Sequence, residues 1–413
     1  MDLKNINLNC RFCNSELYEV ENLGNFYSCG SFPKNENDPI EYGALQLDIC
    51  SMCSLVQLSK NFNPSGMYGN TYGYKSSLNE SMVKHLDSIA DEIVSFLAEE
   101  NTLMSHLDIG SNDGTLLSLV EKKCKSSNFS RIIQIGVDPS GEPFKDNYEN
   151  FQLVVDFFSS NLVETLSIKY QIISSIAMLY DLPDINDFFR GIKNLLADSG
   201  IWISEQSYFF SMTKQNAFDT ICHEHLEYYT VTDIDNFCNA NNLNLFDVTF
   251  NEANGGSFRF YVSHPGKKSK SKGLLKILEW EKAKNKVQEV HDMFIRVRNN
   301  KILLMEFLEK CKIKNLEVHG YGASTKGNTL LQYYGIYQDL LPMIAERNID
   351  KFGKKTPGTL IPIVSELESK QRKPYAYLVL PWHFKQGILE REKQFIQDTG
   401  TKFCFPLPSM QII

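Results

Sequence analysis

The densest group of reactive side chains lies in the segment FDTICHEHLEYYT, residues 218–230. His223, Glu224 and His225 follow one another there, and three interpretations of them are open. The histidines could bind a metal, although the segment lacks the HExxH spacing of zinc hydrolases. They could be structural. They could also be general acid or base groups, because a histidine oriented by a neighbouring carboxylate accepts a proton near pH 7.

Four of the ten cysteines form two CxxC pairs near the N-terminus. Cys10 and Cys13 make the first pair, and Cys50 and Cys53 make the second. Two such pairs that converge on one ion complete a closed tetrahedral zinc site. We therefore predict a structural Zn²⁺ bound by these four cysteines, in a module whose intervening residues form a β-hairpin. The polar segment around them is too short to build a hydrophobic core without such a metal cross-link.

The string HLDIGSNDGTLL, residues 106–117, predicts a strand-to-helix turn that binds a cofactor. Gly110 and Gly114 permit a tight turn and a close approach of backbone to ligand. Asp138 ends the next strand, where its carboxylate can accept hydrogen bonds from two ribose hydroxyls. Asp108 at the start of the turn favours a cationic ligand over a pyrophosphate. A Rossmann dehydrogenase is the alternative. The loop sequence disfavours it, because it lacks the GxGxxG motif.

This turn resembles that of the class I S-adenosylmethionine-dependent methyltransferases. The resemblance implies that Asp108 faces the methionine ammonium group, Asp138 the ribose, and Asp156 with Phe157 the adenine. Tyr72 and Tyr74, which lie earlier in the chain, would close over the cofactor. The other predicted cofactor-binding residues are Gly110, Ser111, Asn112 and Gly114.

A second glycine-containing loop is GYGASTKGNTLL, residues 320–331. Backbone amides at a helix N-terminus, together with the ammonium group of Lys326, would form a cradle for a substrate diphosphate. NAD is the alternative ligand, but no acidic partner for its ribose follows. The substrate-binding residues predicted from this part of the chain are Tyr321, Ala323, Ser324, Lys326, Asn348 and Lys351, with Gly358 and Trp382 as further candidates.

The elements that must position these residues alternate between strands and helices. Apolar runs at 105–110, 132–138, 151–157, 172–179 and 200–206 predict strands of a parallel, doubly wound sheet. Residues 246–263 predict a hairpin that turns at Asn254–Gly255–Gly256. A second α/β set begins near residue 316. We therefore expect an α/β protein with a zinc module at 1–65, a class I methyltransferase domain at 66–265, and a helical linker with a Rossmann-like substrate domain at 266–413.

The net charge of the chain indicates which class of binding partner is disfavoured. The chain has 42 Lys and Arg against 50 Asp and Glu, a net charge of −8, which argues against a nucleic acid as the main partner. No apolar run reaches the roughly 20 residues that span a bilayer, and the N-terminus lacks a secretory signal. We expect a cytoplasmic protein without membrane contact. The oligomeric state is open, with a monomer as one possibility.

The whole chain resembles the nucleotide-sugar C-methyltransferase family. The family combines an N-terminal zinc module, a central S-adenosylmethionine domain and a C-terminal Rossmann-like domain that helps to hold the nucleotide sugar. The resemblance therefore implies two cofactors, S-adenosylmethionine and structural Zn²⁺, and a nucleotide-linked sugar as substrate. The matching strings, in order from residue 10 to about 385, are CRFC, DICSMC, YGYKSS, DIGSNDGTLL, HEHLEYY, NGGSFRFY, GYGASTKGNTLL, KTPGTLIPI and YLVLPWHF.

Carried over by position, His225 matches the general base of that family and Glu224 its adjacent carboxylate. The implied reaction removes a proton from the carbon next to a 4-keto group of a deoxysugar, and the enolate then takes the methyl group. The substrate-binding candidates implied by the matching strings are Cys222, Asp181, Asn254, Ser257 and Arg259.

Two of these candidates depart from the family pattern. Members that act on antibiotic sugars carry Tyr where this chain has Cys222 and His where it has Asp181. These differences leave the sugar and the methylated atom open, so O-methylation of a related sugar is an alternative. A zinc-module binding protein without turnover and a nucleic-acid methyltransferase are further alternatives, the latter opposed by the net charge.

Overall fold

The computed structural model describes residues 9–62, 75–98, 104–127 and 132–413, which form three β-sheets. Each sheet follows one of the three regions predicted from the sequence, although the first sheet also receives a strand from the second region. The domain boundaries at 65 and 265 remain predictions. None of the helices among these residues is long and apolar enough to cross a membrane.

In the sequence, the first two strands of the N-terminal sheet lie between the two cysteine pairs, and the third strand follows the second pair. Its hairpin, formed by the first two strands, is the one predicted from the sequence, and it returns the chain so that the second pair meets the first. The fourth strand follows His225 directly and pairs with the third. The four antiparallel strands, in sheet order, are β1 (Leu17–Tyr27), β2 (Tyr42–Cys50), β3 (Val56–Leu58) and β9 (Glu227–Tyr228).

The central sheet has five parallel strands and an antiparallel hairpin at one edge. All five predicted parallel strands are present. Their order reverses beside the first of them, and ligands of such sheets bind outside the carboxyl ends of the strands at that point. In sheet order the strands are β10 (Asn244–Asn251), β11 (Ser257–Ser263), β8 (Leu196–Ser207), β7 (Tyr170–Ile176), β4 (Met104–Ile109), β5 (Ile132–Val137) and β6 (Gln152–Val154).

Helices cover both faces of this sheet. The first buries Met82, Leu86, Ile89 and Ile93 at the three- and four-residue spacing of one helical face. Another begins at a capping box in which Thr230 and Asp233 satisfy each other's backbone amides. The helices are α1 (Glu80–Ala98), α2 (Thr115–Ser126), α3 (Val163–Leu166), α4 (Ile185–Leu195), α5 (Phe209–Lys214) and α6 (Val231–Ala240).

The C-terminal region starts with two helices, α7 (Lys272–Lys282) and α8 (Lys286–Ile313), and continues as a second doubly wound sheet. Five of its six strands are parallel. In sheet order they are β14 (Ile363–Ser365), β13 (Ile344–Glu346), β12 (Val318–Tyr321), β15 (Ala376–Val379), β16 (Lys402–Phe405) and the antiparallel β17 (Gln411–Ile412). The helices are α9 (Thr325–Tyr334), α10 (Glu366–Gln371), α11 (Lys385–Arg391) and α12 (Lys393–Thr399).

One apolar core runs through all three regions, from Cys10 to Leu407. Polar contacts join the regions as well. Asn328 of α9 donates a hydrogen bond to the carbonyl of Cys29 at 2.7 Å, and Lys286 of α8 donates to the carbonyl of Ser54 at 2.9 Å. The zinc module is therefore packed against the C-terminal region by these hydrogen bonds, and against the central region by the pairing of β3 with β9.

The buried carboxylate of Glu281, on α7, holds the start of α6. It accepts hydrogen bonds from the amides of Val231 and Thr232 and from the hydroxyls of Tyr208 and Thr232, at 2.6–3.0 Å. The first amides of a helix have no partner inside the helix and favour negative charge. Glu281 thus fixes α7 to the central region.

We predict that Glu281→Ala lowers the free energy of unfolding by roughly 2–4 kcal/mol, because it leaves several buried donors without an acceptor. Urea unfolding followed by circular dichroism measures this change. Glu279→Ala, at an exposed position of the same helix, is the control and should change stability by less than about 0.5 kcal/mol. Equal effects of the two substitutions would contradict this account of α6.

Candidate active site

The turn between β4 and α2 has the backbone that its sequence predicts. Gly110 and Gly114 both have a φ of 76°, and Asn112 between them has a φ of 51°. At Gly114 a Cβ would lie 3.2 Å from the ring of Tyr148, so space as well as conformation requires glycine there. The carboxylate of Asp138 closes the turn by accepting hydrogen bonds from the amides of Asn112 and Ser140, at 2.8 and 2.7 Å.

Asp108 is a buried carboxylate at the end of β4. Burial raises its pKa to about 7, although a hydrogen bond donated by Ser174 at 2.6 Å opposes the change. A cation beside Asp108 would offset the cost of keeping this charge out of water. The position therefore fits the ammonium group of a methionine-containing cofactor.

A cavity of about 670 Å³ lies at the carboxyl ends of β4, β5 and β7, and the C-terminal region closes its other side. This is the side of the central sheet where a doubly wound fold binds its ligands. Residues predicted for the cofactor, the substrate and the chemistry meet in it. Those that line it are Asp108, Gly110, Ser111, Asn112, Asp138, Phe157, Asp181, Glu224, His225, Asn254, Ser324 and Lys326.

His225 presents one ring nitrogen as a base. Its Nδ1 lies 2.7 Å from the carbonyl oxygen of Thr220. A carbonyl can only accept, so Nδ1 carries the proton and Nε2 keeps its lone pair. Burial lowers the pKa of His225 to about 4, with a further contribution from the positive charge of Lys326. The ring is therefore neutral at pH 7 and can accept a proton.

The sequence analysis expected Glu224 to orient this histidine, and the structure corrects that expectation. The backbone carbonyl of Thr220 does so, whereas the Glu224 carboxylate lies beside Gly30 of the zinc module. Burial raises the pKa of Glu224. Its Oε2 has no hydrogen-bond partner among the described residues. Glu224 therefore lines the cavity as a buried carboxyl group with a raised pKa, and it does not orient His225.

His223 and Cys222 do not line the cavity. The ring of His223 packs edge-on against Phe62, with 4.4 Å between ring centres. Burial lowers the pKa of this histidine to about 4. Cys222 is fully buried, and burial raises the pKa of its thiol. The structure thus places both in the protein interior, and it leaves His225 as the histidine of this segment that reaches the cavity.

Several residues expected at the substrate site also lie elsewhere. Arg259 forms a buried ion pair with Glu205 at 2.9 Å, and the hydroxyl of Tyr321 donates to Glu392 inside the C-terminal region at 2.8 Å. Lys351 donates to the carbonyl of Ala323 at 2.7 Å. Besides His223 and Cys222, the predicted site residues that do not line the cavity are Gly114, Asp156, Ser257, Arg259, Tyr321, Ala323, Asn348, Lys351, Gly358 and Trp382. Tyr72 and Tyr74 lie outside the described residues.

The cavity also contains residues that the sequence analysis did not predict. His383, which follows β15, lines the cavity, and its Nδ1 has no hydrogen-bond partner among the described residues. Burial lowers its pKa, helped by the charge of Lys326. Glu205, at the end of β8, lines the other side and binds His85 at 2.6 Å. The matching string YLVLPWHF contained His383, but no spacing rule singled it out.

The four cysteines of the zinc module converge as predicted. Their Sγ atoms all lie within 4.8 Å of one another, with 3.6 Å between Cys10 and Cys53 and 3.3 Å between Cys13 and Cys50. Zn–S bonds of about 2.3 Å in a tetrahedron place sulfur atoms about 3.8 Å apart. In the described part of the chain this is the one cluster of His, Cys, Asp or Glu side chains that could hold a metal. It contains neither His223 nor His225.

Both cysteine pairs have the same local backbone. The amides of Asn14 and Ser54 donate to the carbonyls of Cys10 and Cys50, at 2.9 and 3.1 Å, and both residues have a φ of 59°. The amides of Met52 and Cys53 also point at the sulfur of Cys50, 3.4 Å away. Two equivalent knuckles that present four sulfurs fit a structural zinc ion, which would supply cross-linking and no open coordination position.

Comparison with known proteins agrees with this geometry. Three family models match in sequence along the chain: “Putative zinc binding domain” over residues 10–68, “Methyltransferase domain” over 82–248 and “C-methyltransferase C-terminal domain” over 252–408. The C-methyltransferase NovU of Streptomyces niveus is 25% identical over 98% of this chain and 96% of its own length. These matches confirm the resemblance of the chain to the C-methyltransferases. The chain is an S-adenosylmethionine-dependent methyltransferase with a zinc module.

Two solved structures similar to this methyltransferase each cover less than half of its chain. An S-adenosylmethionine-dependent methyltransferase from Clostridium acetobutylicum matches 43% of this chain and 91% of its own, with 14% identity and a TM-score of 0.33. The magnesium protoporphyrin IX methyltransferase of Synechocystis, solved with S-adenosylhomocysteine, matches 44% and 84%, with 11% identity and a TM-score of 0.33.

For the metal site of this methyltransferase we predict about one zinc per chain in the purified protein, measured by plasma emission spectrometry. Cys13→Ser should lose most of the metal, because removal of one of four thiolates opens the site. Cys124→Ala, on α2 and outside the cluster, should retain it. Retention of zinc by the Cys13 variant would place the metal elsewhere.

For the cofactor we predict that Asp138→Asn weakens S-adenosylmethionine binding about 10- to 100-fold. The substitution removes one of the two carboxylate oxygens that hold the turn, and hydrogen bonds to a charged group are worth roughly 1.5–3 kcal/mol. Titration calorimetry measures the affinity. Asp146→Asn, at an exposed position nearby, should bind as the wild type does. Unchanged affinity of the Asp138 variant would show that this carboxylate is not needed for cofactor binding.

Proposed function

We propose that this methyltransferase methylates the carbon next to the 4-keto group of a nucleotide-linked deoxysugar, with His225 as the general base. The C-methyltransferase family supports methylation at carbon. The resemblance of the matching strings to the nucleotide-sugar members supports the class of substrate. O-methylation of a related sugar is the outcome that would replace it.

The observation that carries this proposal is the state of His225 in the cavity that also contains Asp108 and the glycine turn. Transfer of a methyl group to carbon needs a carbanion, and a carbanion needs a base that is unprotonated at working pH. With Nδ1 bound to the Thr220 carbonyl and a pKa of about 4, His225 offers Nε2 as that base.

Each part of the chain then has a defined task. His225 takes the proton from carbon, and the electron pair of that C–H bond becomes the enolate of the neighbouring ketone. S-adenosylmethionine, when bound, supplies an electrophilic methyl group to the enolate carbon. Asp108 and Asp138 hold the cofactor. The proton on Nε2 leaves to solvent after the product departs, which restores the base.

The nucleotide part of the substrate would lie toward the C-terminal region. Ser324 and Thr325, at the start of α9, line the cavity. The first amides of this ten-residue helix favour an anionic group such as a diphosphate. The net charge of −8 supports a small nucleotide-linked acceptor over a nucleic acid. Asp181 and Glu224, which also line the cavity, would contact the sugar.

The test is incubation with S-adenosylmethionine and a panel of nucleotide-linked 4-keto sugars in D₂O, with product NMR. We predict a new C–CH₃ group and, without the cofactor, exchange of the neighbouring proton for deuterium. His225→Asn should reduce both by roughly 100- to 10,000-fold while both ligands still bind, because its side chain stays polar but loses its basicity.

The pH profile provides a second readout. Because the neutral ring is the active form and its pKa is lowered from 6.5 to about 4, protonation of His225 should cause no loss of kcat/KM between pH 5 and 7 at saturating S-adenosylmethionine, and it should lower kcat/KM only near pH 4. His264→Asn, outside the cavity, is the control and should behave as the wild type does. A methyl group on oxygen with no deuterium at carbon would replace the proposal by O-methylation.

A further inference from the structure

Lys326 is the one cation in an acidic cavity. Among the described residues that line the cavity it is the single lysine or arginine, against seven carboxylates. The seven acidic residues are Asp108, Asp138, Asp181, Asp184, Asp187, Glu205 and Glu224. A lone buried ammonium group in such surroundings must be held by specific partners.

Those partners lie beside the general base. The Nζ atom of Lys326 donates to the carbonyl oxygen of Asn254 at 2.9 Å. Burial lowers the pKa of Lys326, and the carboxylate of Asp219 opposes that change. Lys326 is also close enough to His225 and His383 for its charge to lower the pKa of both histidines.

Asp219 is built into the protein as a fixed counter-charge. It is fully buried, and its Oδ2 accepts a hydrogen bond from the indole of Trp382 at 2.7 Å. Its Oδ1 has no hydrogen-bond partner among the described residues. Burial raises the pKa of Asp219 to about 6, so it is ionised at neutral pH.

We propose that Lys326 is a further catalytic residue, whose ammonium group stabilises the enolate oxygen while His225 takes the proton from carbon. This inference rests on the function proposed above. It differs from the role expected from the sequence, in which Lys326 holds the diphosphate. The amides at the start of α9 remain available for that anion.

The chemistry of His225 requires such a group. An imidazole whose protonated form has a pKa of about 4 is a weak base. A C–H group next to a ketone is a far weaker acid than imidazolium. Proton transfer is therefore strongly uphill unless the charge on oxygen is stabilised where it develops. A preorganised ammonium group in a site that excludes water gives this stabilisation.

The step balances without any other reagent. The C–H bond breaks and its proton binds Nε2 of His225. The electron pair forms the carbon–carbon double bond, and the carbonyl pair moves to oxygen, opposite the Lys326 ammonium group. Lys326 keeps its proton throughout. When S-adenosylmethionine is bound, the enolate carbon would take its methyl group, the S–CH₃ electron pair would stay on sulfur and S-adenosylhomocysteine would leave, while the oxygen pair returns and restores the ketone.

The experiment compares Lys326→Met and Lys326→Arg with the wild type. Deuterium exchange into the 4-keto sugar at saturating substrate measures enolate formation, and competitive inhibition by uridine and thymidine diphosphates measures the nucleotide site. Lys326→Met should reduce kcat and exchange roughly 100- to 1,000-fold. The inhibition constants and S-adenosylmethionine affinity should stay within about twofold, which also shows that the variant is folded. Lys326→Arg keeps the charge and should recover part of the rate.

The pH dependence separates catalysis from a structural defect. The groups that face His225 and Lys326 are Thr220, Glu224, Tyr180, Asp181, Asp219, Cys222 and His383. With the charge of Lys326 removed, the pKa of His225 rises, so the acid limb of kcat/KM should move from near pH 4 toward higher pH. In Asp219→Asn the pKa of Lys326 falls, so the alkaline limb should move to lower pH.

Two results would overturn the inference. Preserved exchange in Lys326→Met, with inhibition constants of the nucleoside diphosphates raised tenfold or more, would place the cation on the diphosphate. Preserved exchange with unchanged inhibition would leave the lysine without a catalytic role. Absence of exchange in the wild type with every 4-keto sugar would instead overturn the proposed function.

Discussion

The pairing of β9 with β3 is the constraint on which the active site depends. The strand β9 starts two residues after His225, and the amide of Leu58 donates to the carbonyl of Leu226 at 2.8 Å. The guanidinium group of Arg11, between the first two cysteines, donates to the carbonyls of Leu58 and Leu226 at 2.7 and 3.4 Å. The zinc module is thus continuous with the segment that carries the base. In the proposed mechanism the zinc module would act by fixing this backbone, and no reactant would need to touch its closed metal site.

The charges that line the cavity fit the binding of a cationic cofactor and the formation of an oxyanion. S-adenosylmethionine carries a positive sulfonium and an ammonium group, and carboxylates such as Asp108 and Asp138 surround the turn where it would bind. Among the described residues that line the cavity, Lys326 is the single lysine or arginine, and its charge acts on His225. Carboxylates at the turn would attract the cofactor, and the ammonium group near the base would stabilise an oxyanion. A second lysine near Asp108 would cancel the first effect.

The features that were predicted from the sequence depend on local patterns. The features that were missed depend on packing between distant parts of the chain. The five parallel strands, the hairpin after residue 244, the turn at Gly110 and the four cysteines all depend on residues close together in the chain or on a spacing rule. The carbonyl that orients His225 could not be predicted, because a backbone oxygen has no residue signature. Asp219 and Trp382 meet across the two α/β regions, and their pairing follows from how those regions pack. The substrate roles expected for Tyr321 and Arg259 came from matching strings, which do not tell whether a side chain points into the cavity or into the core.

The low pKa of His225 follows from its position at the junction of the three regions. Burial by the zinc module, the central sheet and the C-terminal region keeps the imidazole neutral, but it also makes the imidazole a weak base. The same burial strengthens the attraction between Lys326 and a charge that forms beside it, because the effective dielectric constant falls. The loss in basicity is therefore offset by stabilisation of the enolate, provided that the two groups come from elements fixed relative to each other. The carbonyls of Thr220 and Asn254 fix them, since one holds the imidazole and the other holds the ammonium group.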